Sequence, residues 1–301
     1  MNLLGDLNEI LQIELKDLGY QIQEKDTHKL LAALFNLQDK TVSVKRREVH
    51  ISKELRAKEL KKPYDDYLKQ IKNKFKNGKD INPHLSRWSV KPYRKDLLLY
   101  DWGIHHLHLG NKLNNKGFIE RSDYILFIVL KKEDVYFIDV TEHKLDDRTE
   151  FAQQYLLGIV KRNWPHLLEH AKIKGATGLS QKFGDKGYSE LRNSGATILV
   201  EVDGEAFALI GGGVTSARTS LAHMRKIDNV SGALRKLEDD LRQRQNRLKE
   251  MTSELKISSI ETDFRLVLEE RAFYIVESHS GNKIIKVEEL FNIIFGHLVN
   301  D

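Results

Sequence analysis

The sequence predicts an α+β fold: N-terminal helices, a central antiparallel β module, and a C-terminal α+β region with a long amphipathic helix. Three observations lead there. Leu4, Leu7, Ile10, Leu11, Leu15 and Leu18 recur at three- and four-residue steps, as one helix face requires. Two apolar runs at 124–130 and 135–140 flank the polar turn Lys131-Lys132-Glu133-Asp134, which reads as a β-hairpin. A heptad-like series follows at Leu234, Leu237, Leu241, Arg244, Leu248, Met251 and Leu255.

Taken in order, Gly19 ends the first helix, and Leu30, Leu31, Leu34, Phe35 and Leu37 mark a second. Residues 42–75 are basic and mostly helix-compatible, with Pro63 as a start or break. Asn77-Gly78 and Asn82-Pro83 signal loops. Residues 97–100 and 104–109 read as extended, and 147–161 as a helix that ends before Asn163-Trp164-Pro165. Residues 172–194 read as loop with short elements. A second hairpin is expected over 197–202 and 206–210 around Asp203-Gly204. The long helix spans 231–256, either packed within the protein or paired as a short coiled coil that would make a homo-oligomer. Strands at 264–268 and 272–276 then precede a helix over 284–298. Three consecutive segments result: 1–90, 91–170 and 171–301.

The chain has 301 residues and no cysteine, so disulfides, thiolate zinc sites and cysteine nucleophiles are excluded. No apolar run approaches the roughly 18 residues of a membrane span, and no signal peptide is evident. Cytoplasmic residence, without a membrane partner, is the expectation. The whole chain is +5, but residues 45–96 alone are +10, so the remainder is net negative. Such a segment is the footprint of a nucleic-acid contact, with Lys45, Arg46, Arg47, Lys61 and Lys62 as candidates, or else a solvated helical face.

His105, His106 and His108 fall within four residues, out of only twelve histidines, and His143 closes a strand downstream. Imidazole exchanges protons near neutral pH and ligates metals. Alternate residues of a strand share a face, so His106 and His108 point together while His105 sides with Leu107 and Leu109. On the second hairpin strand His143 lies beside Thr141 and Asp139, on the face opposite Glu142. A turn centred between Lys132 and Glu133 sets Asp123 opposite Glu142 and Arg121 opposite Lys144. The open end of the hairpin thus gathers Arg121, Asp123, Glu142, His143 and Lys144, either as an active site or as strand ends leaving the core.

Histidines with Arg and Lys suit metal-independent RNA cleavage. RNA supplies its own 2′-hydroxyl nucleophile and needs only a base, an acid and cations. The basic stretch, then residues 121–129 and the strand ending Thr141-Glu142-His143-Lys144, resemble the antiparallel meander of RelE-type toxins and the wider barnase/EndoU/colicin-like ribonucleases. The resemblance covers about residues 96–150. It implies an endoribonuclease of toxin–antitoxin or antiphage-defence type, without a cofactor and with an inhibitory partner protein. It assigns His106 or His108 as base or acid, His143 as counterpart, and Arg121 and Lys144 as phosphate clamps. The 105–108 cluster departs from the family pattern.

Two further readings stay open. Asp123 with Glu142-His143-Lys144 is similar to the PD-(D/E)xK nuclease pattern, in which the carboxylates would hold Mg²⁺. His106, His108 and His143 could instead hold zinc or iron. A non-enzymatic nucleic-acid-binding adaptor is the competing class. Gly211-Gly212-Gly213-Val214-Thr215-Ser216 could cradle a phosphate or form a tight glycine turn. Trp88 and Trp102 could stack on a base or pack a core.

Overall fold

The structure, a computed structural model, describes residues 1–21, 23–120, 122–143, 150–254 and 263–296. Its elements are helices mixed with three sheets, an α+β fold. Contacts divide the chain into two compact units, one of residues 36–222 and one joining 1–35 to 223–299. These differ from the three consecutive segments the sequence suggested, because residues 1–35 cluster with C-terminal elements, Leu266 N–H donating to Asp6.

Helix α1 (Leu3–Asp17) buries Leu3, Leu7, Leu11 and Leu15. Asn2 caps it, its side-chain oxygen accepting the Gly5 N–H at 2.9 Å. Gly19, at φ +86°, ends it, with Tyr20 N–H donating back to Leu15 O. Helix α2 (Thr27–Lys40) carries the second apolar series.

The 36–222 unit is built on one sheet. Its strands are β1 (Glu48–Ile51), β2 (Ile104–His108), β3 (Tyr124–Leu130) and β4 (Asp134–Glu142), in the order β1-β4-β3-β2. The pairs β2/β3 and β3/β4 are antiparallel, and β1 joins β4 in parallel. Strand β1 corrects the helical reading of residues 42–75. Only helices α3 (Lys53–Ala57) and α4 (Tyr64–Lys76) form there. Arg47 holds the entry to β1, its guanidinium bonding Ser43 O, Ser43 Oγ and Lys131 O.

Helix α5 (Leu97–Trp102) corrects the extended reading of 97–100. Periodicity cannot decide the state of so short an apolar run. Capping decides it: Asp96 accepts from Leu99 N–H, and Gly103 takes φ +68° at the other end. Helix α6 (Tyr155–Asn163) begins later than the 147–161 reading and runs through Asn163 to stop at Trp164. Helix α7 (Asp185–Asn193) forms where loop was expected. The second hairpin is short, β5 (Val200–Val202) with β6 (Glu205–Phe207).

The sheet is covered on both faces. Ile104, Ile125, Phe127 and Ile138 pack with α6 and with Tyr188 of α7. Leu107, Leu126, Ile128 and Phe137 pack with Leu55, Ile71 and Phe75. Removing large side chains at such sites costs about 2–5 kcal/mol. The glycine run 211–213 is a close backbone approach and no phosphate cradle. Gly211 N–H donates to Asp101 O and Gly213 N–H to Tyr100 O. A Cβ at Gly211 would meet Gly103 N at 2.4 Å and Leu99 O at 2.6 Å.

In the other unit, helix α8 (Leu221–Glu254) begins ten residues earlier than the heptads suggested. Its Ile227, Val230, Leu234 and Leu241 are buried, and Glu238 accepts from Leu3 N–H. Over that span it is a packed helix. Leu255 lies outside the described residues. Strands β7 (Phe264–Glu269), β8 (Ala272–Glu277) and β9 (Lys283–Val287) form an antiparallel sheet, followed by helix α9 (Leu290–Phe295). Strand β9 corrects the helix expected to begin at 284. Its alternating exposure, with Ile285 half-buried between exposed neighbours, has period two.

Candidate active site

A β-bulge decides which face His143 occupies. Below the turn Leu130 pairs with Val135 and Ile128 with Phe137, but then Phe127 pairs with Asp139, leaving Ile138 as the extra residue. The open end of the hairpin is therefore shifted by one from the register the sequence suggested. Tyr124 stands opposite Glu142, and His143 N–H donates to Asp123 O at 2.6 Å. A one-residue shift exchanges faces. Thr141, opposite Ile125, and His143 join the Ile138 face, where β2 presents His106 opposite Phe127 and His108 opposite Ile125.

The three histidines converge there. The His108 and His143 rings are 5.6 Å apart between centroids, and those of His106 and His108 6.1 Å. Phe151 packs over them, 4.9 Å from His106 and 6.4 Å from His143. Burial holds His106 below the ordinary imidazole range, opposed by Asp96 and reinforced by the neighbouring His143. Its Nδ1 has no partner among the described residues. His105 packs on the other face, nearly buried, and is likewise lowered, chiefly by burial.

These histidines line a cavity of about 670 Å³ along the free edge of β2. That size suits a small-molecule or nucleotide-sized ligand. The loop over 86–95 contributes Arg87, Trp88, Arg94 and Lys95 to the wall, and α7 contributes Arg192. Lys40 at the end of α2 fastens the loop, its ammonium donating to the carbonyls of Trp88, Lys91 and Arg94 at 2.6–3.2 Å. Burial brings its pKa down to about 8.

Arg192 is buried against Asp101, Nε to Oδ2 at 2.9 Å, and stacks over Trp102 at 4.2 Å. Its Nη1 donates to Phe151 O, while Nη2 has no partner among the described residues. Nothing in the local sequence marks Arg192. Its role depends on a contact 91 residues away in the chain.

His84 ties this region to the sheet. Its Nδ1–H donates to His108 O at 3.0 Å, and Nε2 accepts from Lys74 at 2.9 Å. Burial drives its pKa down to about 4. The folded protein keeps it neutral, while the unfolded chain binds a proton below about pH 6.5. This contribution is fully present above pH 6.5 and is lost as pH falls toward 4, by up to about 3 kcal/mol at 1.36 kcal/mol per pH unit. Melts from pH 7.5 to 4 are expected to show that slope, and His84→Gln to make it shallower.

No family model matches the chain, and no match is found among curated proteins or solved structures.

The remaining sequence candidates are placed as follows. Arg121 and Lys144 lie outside the described residues. The Asp123–Glu142 cross-strand pair expected of a PD-(D/E)xK site does not form. Asp123 accepts from the Tyr64 hydroxyl at 2.8 Å and Glu142 from that of Tyr124 at 3.1 Å. The ligating nitrogens of His106, His108 and His143 do not all come within 4.8 Å of one another. Among the described residues only Glu48, His50 and Asp134 meet that condition. That group lies on the β1 edge, opposite the β2 edge, where His50 already bonds Asp134 at 2.7 Å.

Of the basic candidates, Arg47 is buried and spent on backbone, which removes it as a nucleic-acid contact. Lys45 pairs with Glu133 at 3.0 Å. Arg46, Lys61 and Lys62 are exposed. Among the described residues, no helix is long and apolar enough to cross a membrane.

Proposed function

We propose that the 36–222 unit is a metal-independent endoribonuclease. The observation that carries this reading is the convergence of His106, His108 and His143 in a cavity walled by Arg87, Arg94, Lys95 and Arg192. The base comes from the His106/His108 pair. A lowered pKa keeps His106 unprotonated near neutral pH, as a base must be. It takes the proton of a 2′-hydroxyl, whose oxygen attacks the adjacent phosphorus. His143 gives its proton to the departing 5′-oxygen. A 2′,3′-cyclic phosphate and a 5′-hydroxyl result, and arginine charge stabilises the pentacovalent state. No cofactor takes part.

The resemblance to RelE-type ribonucleases supports toxin–antitoxin or antiphage defence as the setting of such an activity, with a protein inhibitor as the proposed partner. The Mg²⁺ alternative loses support from the register, which separates Asp123 from Glu142.

The test is incubation of the full chain with labelled RNA and labelled DNA, each with Mg²⁺ or with EDTA. RNA cleavage that persists in EDTA, with DNA intact, is the expected result. Cleavage that requires Mg²⁺ would return the reading to the carboxylates. Binding without cleavage would make the protein an adaptor.

A further inference from the structure

The nuclease reading accounts for the histidines but not for the exposed tryptophan at the same cavity. Trp88 is 45% exposed, whereas Trp102 is 3% exposed and belongs to the core. A large aromatic left in water normally finds cover. Trp88 instead has the guanidinium carbons of Arg87 and Arg94 at 5.3 and 4.8 Å from its ring centroid. The loop carrying these three residues is not loosely held. Lys40 grips three of its carbonyls, and Asn36 Nδ2 donates to Pro92 O and Arg94 O at 2.6 and 3.0 Å. The ring is thus presented on a fastened backbone, with exposed cations beside it.

We propose that Trp88 is a stacking platform for one unpaired base of a single-stranded RNA, with Arg87 and Arg94 taking the phosphates on either side of that base. This rests on the nuclease reading and specifies its substrate as unpaired RNA. Aromatic stacking between arginines is the pattern by which proteins hold single strands, and it tolerates any base because every base has a π face. The cavity requires an unpaired strand for a second reason. The space beside the histidines is nucleotide-sized, so an A-form duplex, with its bases stacked inside, cannot deliver a 2′-hydroxyl to it. A splayed strand can, and an anchored base beside the cavity fixes which phosphate reaches the histidines.

The probe is a short 2′-O-methyl oligoribonucleotide, which binds but cannot be cleaved, used as a single strand and as a hairpin duplex of the same sequence. Binding is read by anisotropy and by quenching of tryptophan fluorescence. The wild-type chain is expected to bind the single strand with quenching and to bind the duplex far more weakly. Trp88→Ala is expected to weaken single-strand binding by about 10- to 100-fold and to abolish most of the quenching. Trp88→Phe should restore most of the affinity. Equal melting temperatures of the variants verify folding, as expected for an exposed side chain.

Unchanged affinity in Trp88→Ala, or equal binding of duplex and single strand, would overturn the platform. The two readings fail separately. Trp88-dependent binding of the probe with cleavable RNA left intact removes the nuclease and keeps the platform. Cleavage with Trp88-independent binding does the reverse.

Discussion

His143→Ala is expected to slow RNA cleavage by about 10²- to 10⁴-fold, the range for losing a positioned general acid or base. The half-buried side chain stands on the Ile138 face, its ring 5.6 Å from that of His108, just past the end of β4. Little stability should go with it. Single-turnover rates and thermal melts, measured on the same preparation, separate the two effects. His106→Ala should lose a similar factor, and the double variant should lose far less than the product, because acid and base act in one step. Glu142→Gln is the contrasting control. Glu142 is exposed, faces away from the histidines and accepts from the Tyr124 hydroxyl, so its loss should change the rate less than about twofold under this mechanism. A large effect at Glu142 with none at His143 would reverse the assignment.

Arg192→Leu is expected to cost about 3–5 kcal/mol of stability. The guanidinium and the Asp101 carboxylate are 5% and 7% exposed and meet at 2.9 Å. Burial pushes the Asp101 carboxyl up, and only the Arg192 charge and hydrogen bond pull it back. Removing the cation leaves a buried acid with no compensation. Asp101→Leu should cost a comparable amount for the mirror reason. The double variant should be more stable than either single one, since two apolar side chains leave no orphan charge. Urea unfolding of the four proteins gives the coupling directly. Activity should fall with Arg192 as well. Its Nη1 bonds the backbone of Phe151, and the Phe151 ring packs 4.9 Å from His106.

Much of the fold was legible because long periodic segments carry their own evidence. The first helix, the 124–140 hairpin and a long helix through Leu234, Leu237 and Leu241 all form, apart from their ends. What failed were short segments whose state depends on partners. Residues 48–51 become a strand only because β4 offers a parallel edge, and 97–100 become a helix because Asp96 and Gly103 cap them. The candidate site was half legible. The alternation in β2 placed His106 and His108 together. Without the bulge at Ile138, however, the same alternation puts His143 on the other face. A bulge leaves no signal in a run as uniformly apolar as Tyr136-Phe137-Ile138. Arg192 and Phe151 were invisible for a related reason: both reach the cavity through contacts distant in sequence. The charge excess over 45–96 takes in Arg87, Arg94 and Lys95, which line the cavity. Lys45, Arg46, Arg47, Lys61 and Lys62 do not line it.

The most direct test of the central claim is the chemistry of the ends produced. RNA cleaved by the purified chain in EDTA should carry 2′,3′-cyclic phosphate on the upstream fragment and 5′-hydroxyl on the downstream one, read by mass spectrometry. A single 2′-deoxy residue at the cleaved position should abolish the cut. Products ending in 3′-hydroxyl and 5′-phosphate, formed only with Mg²⁺ and indifferent to the 2′-deoxy residue, would contradict the histidine mechanism.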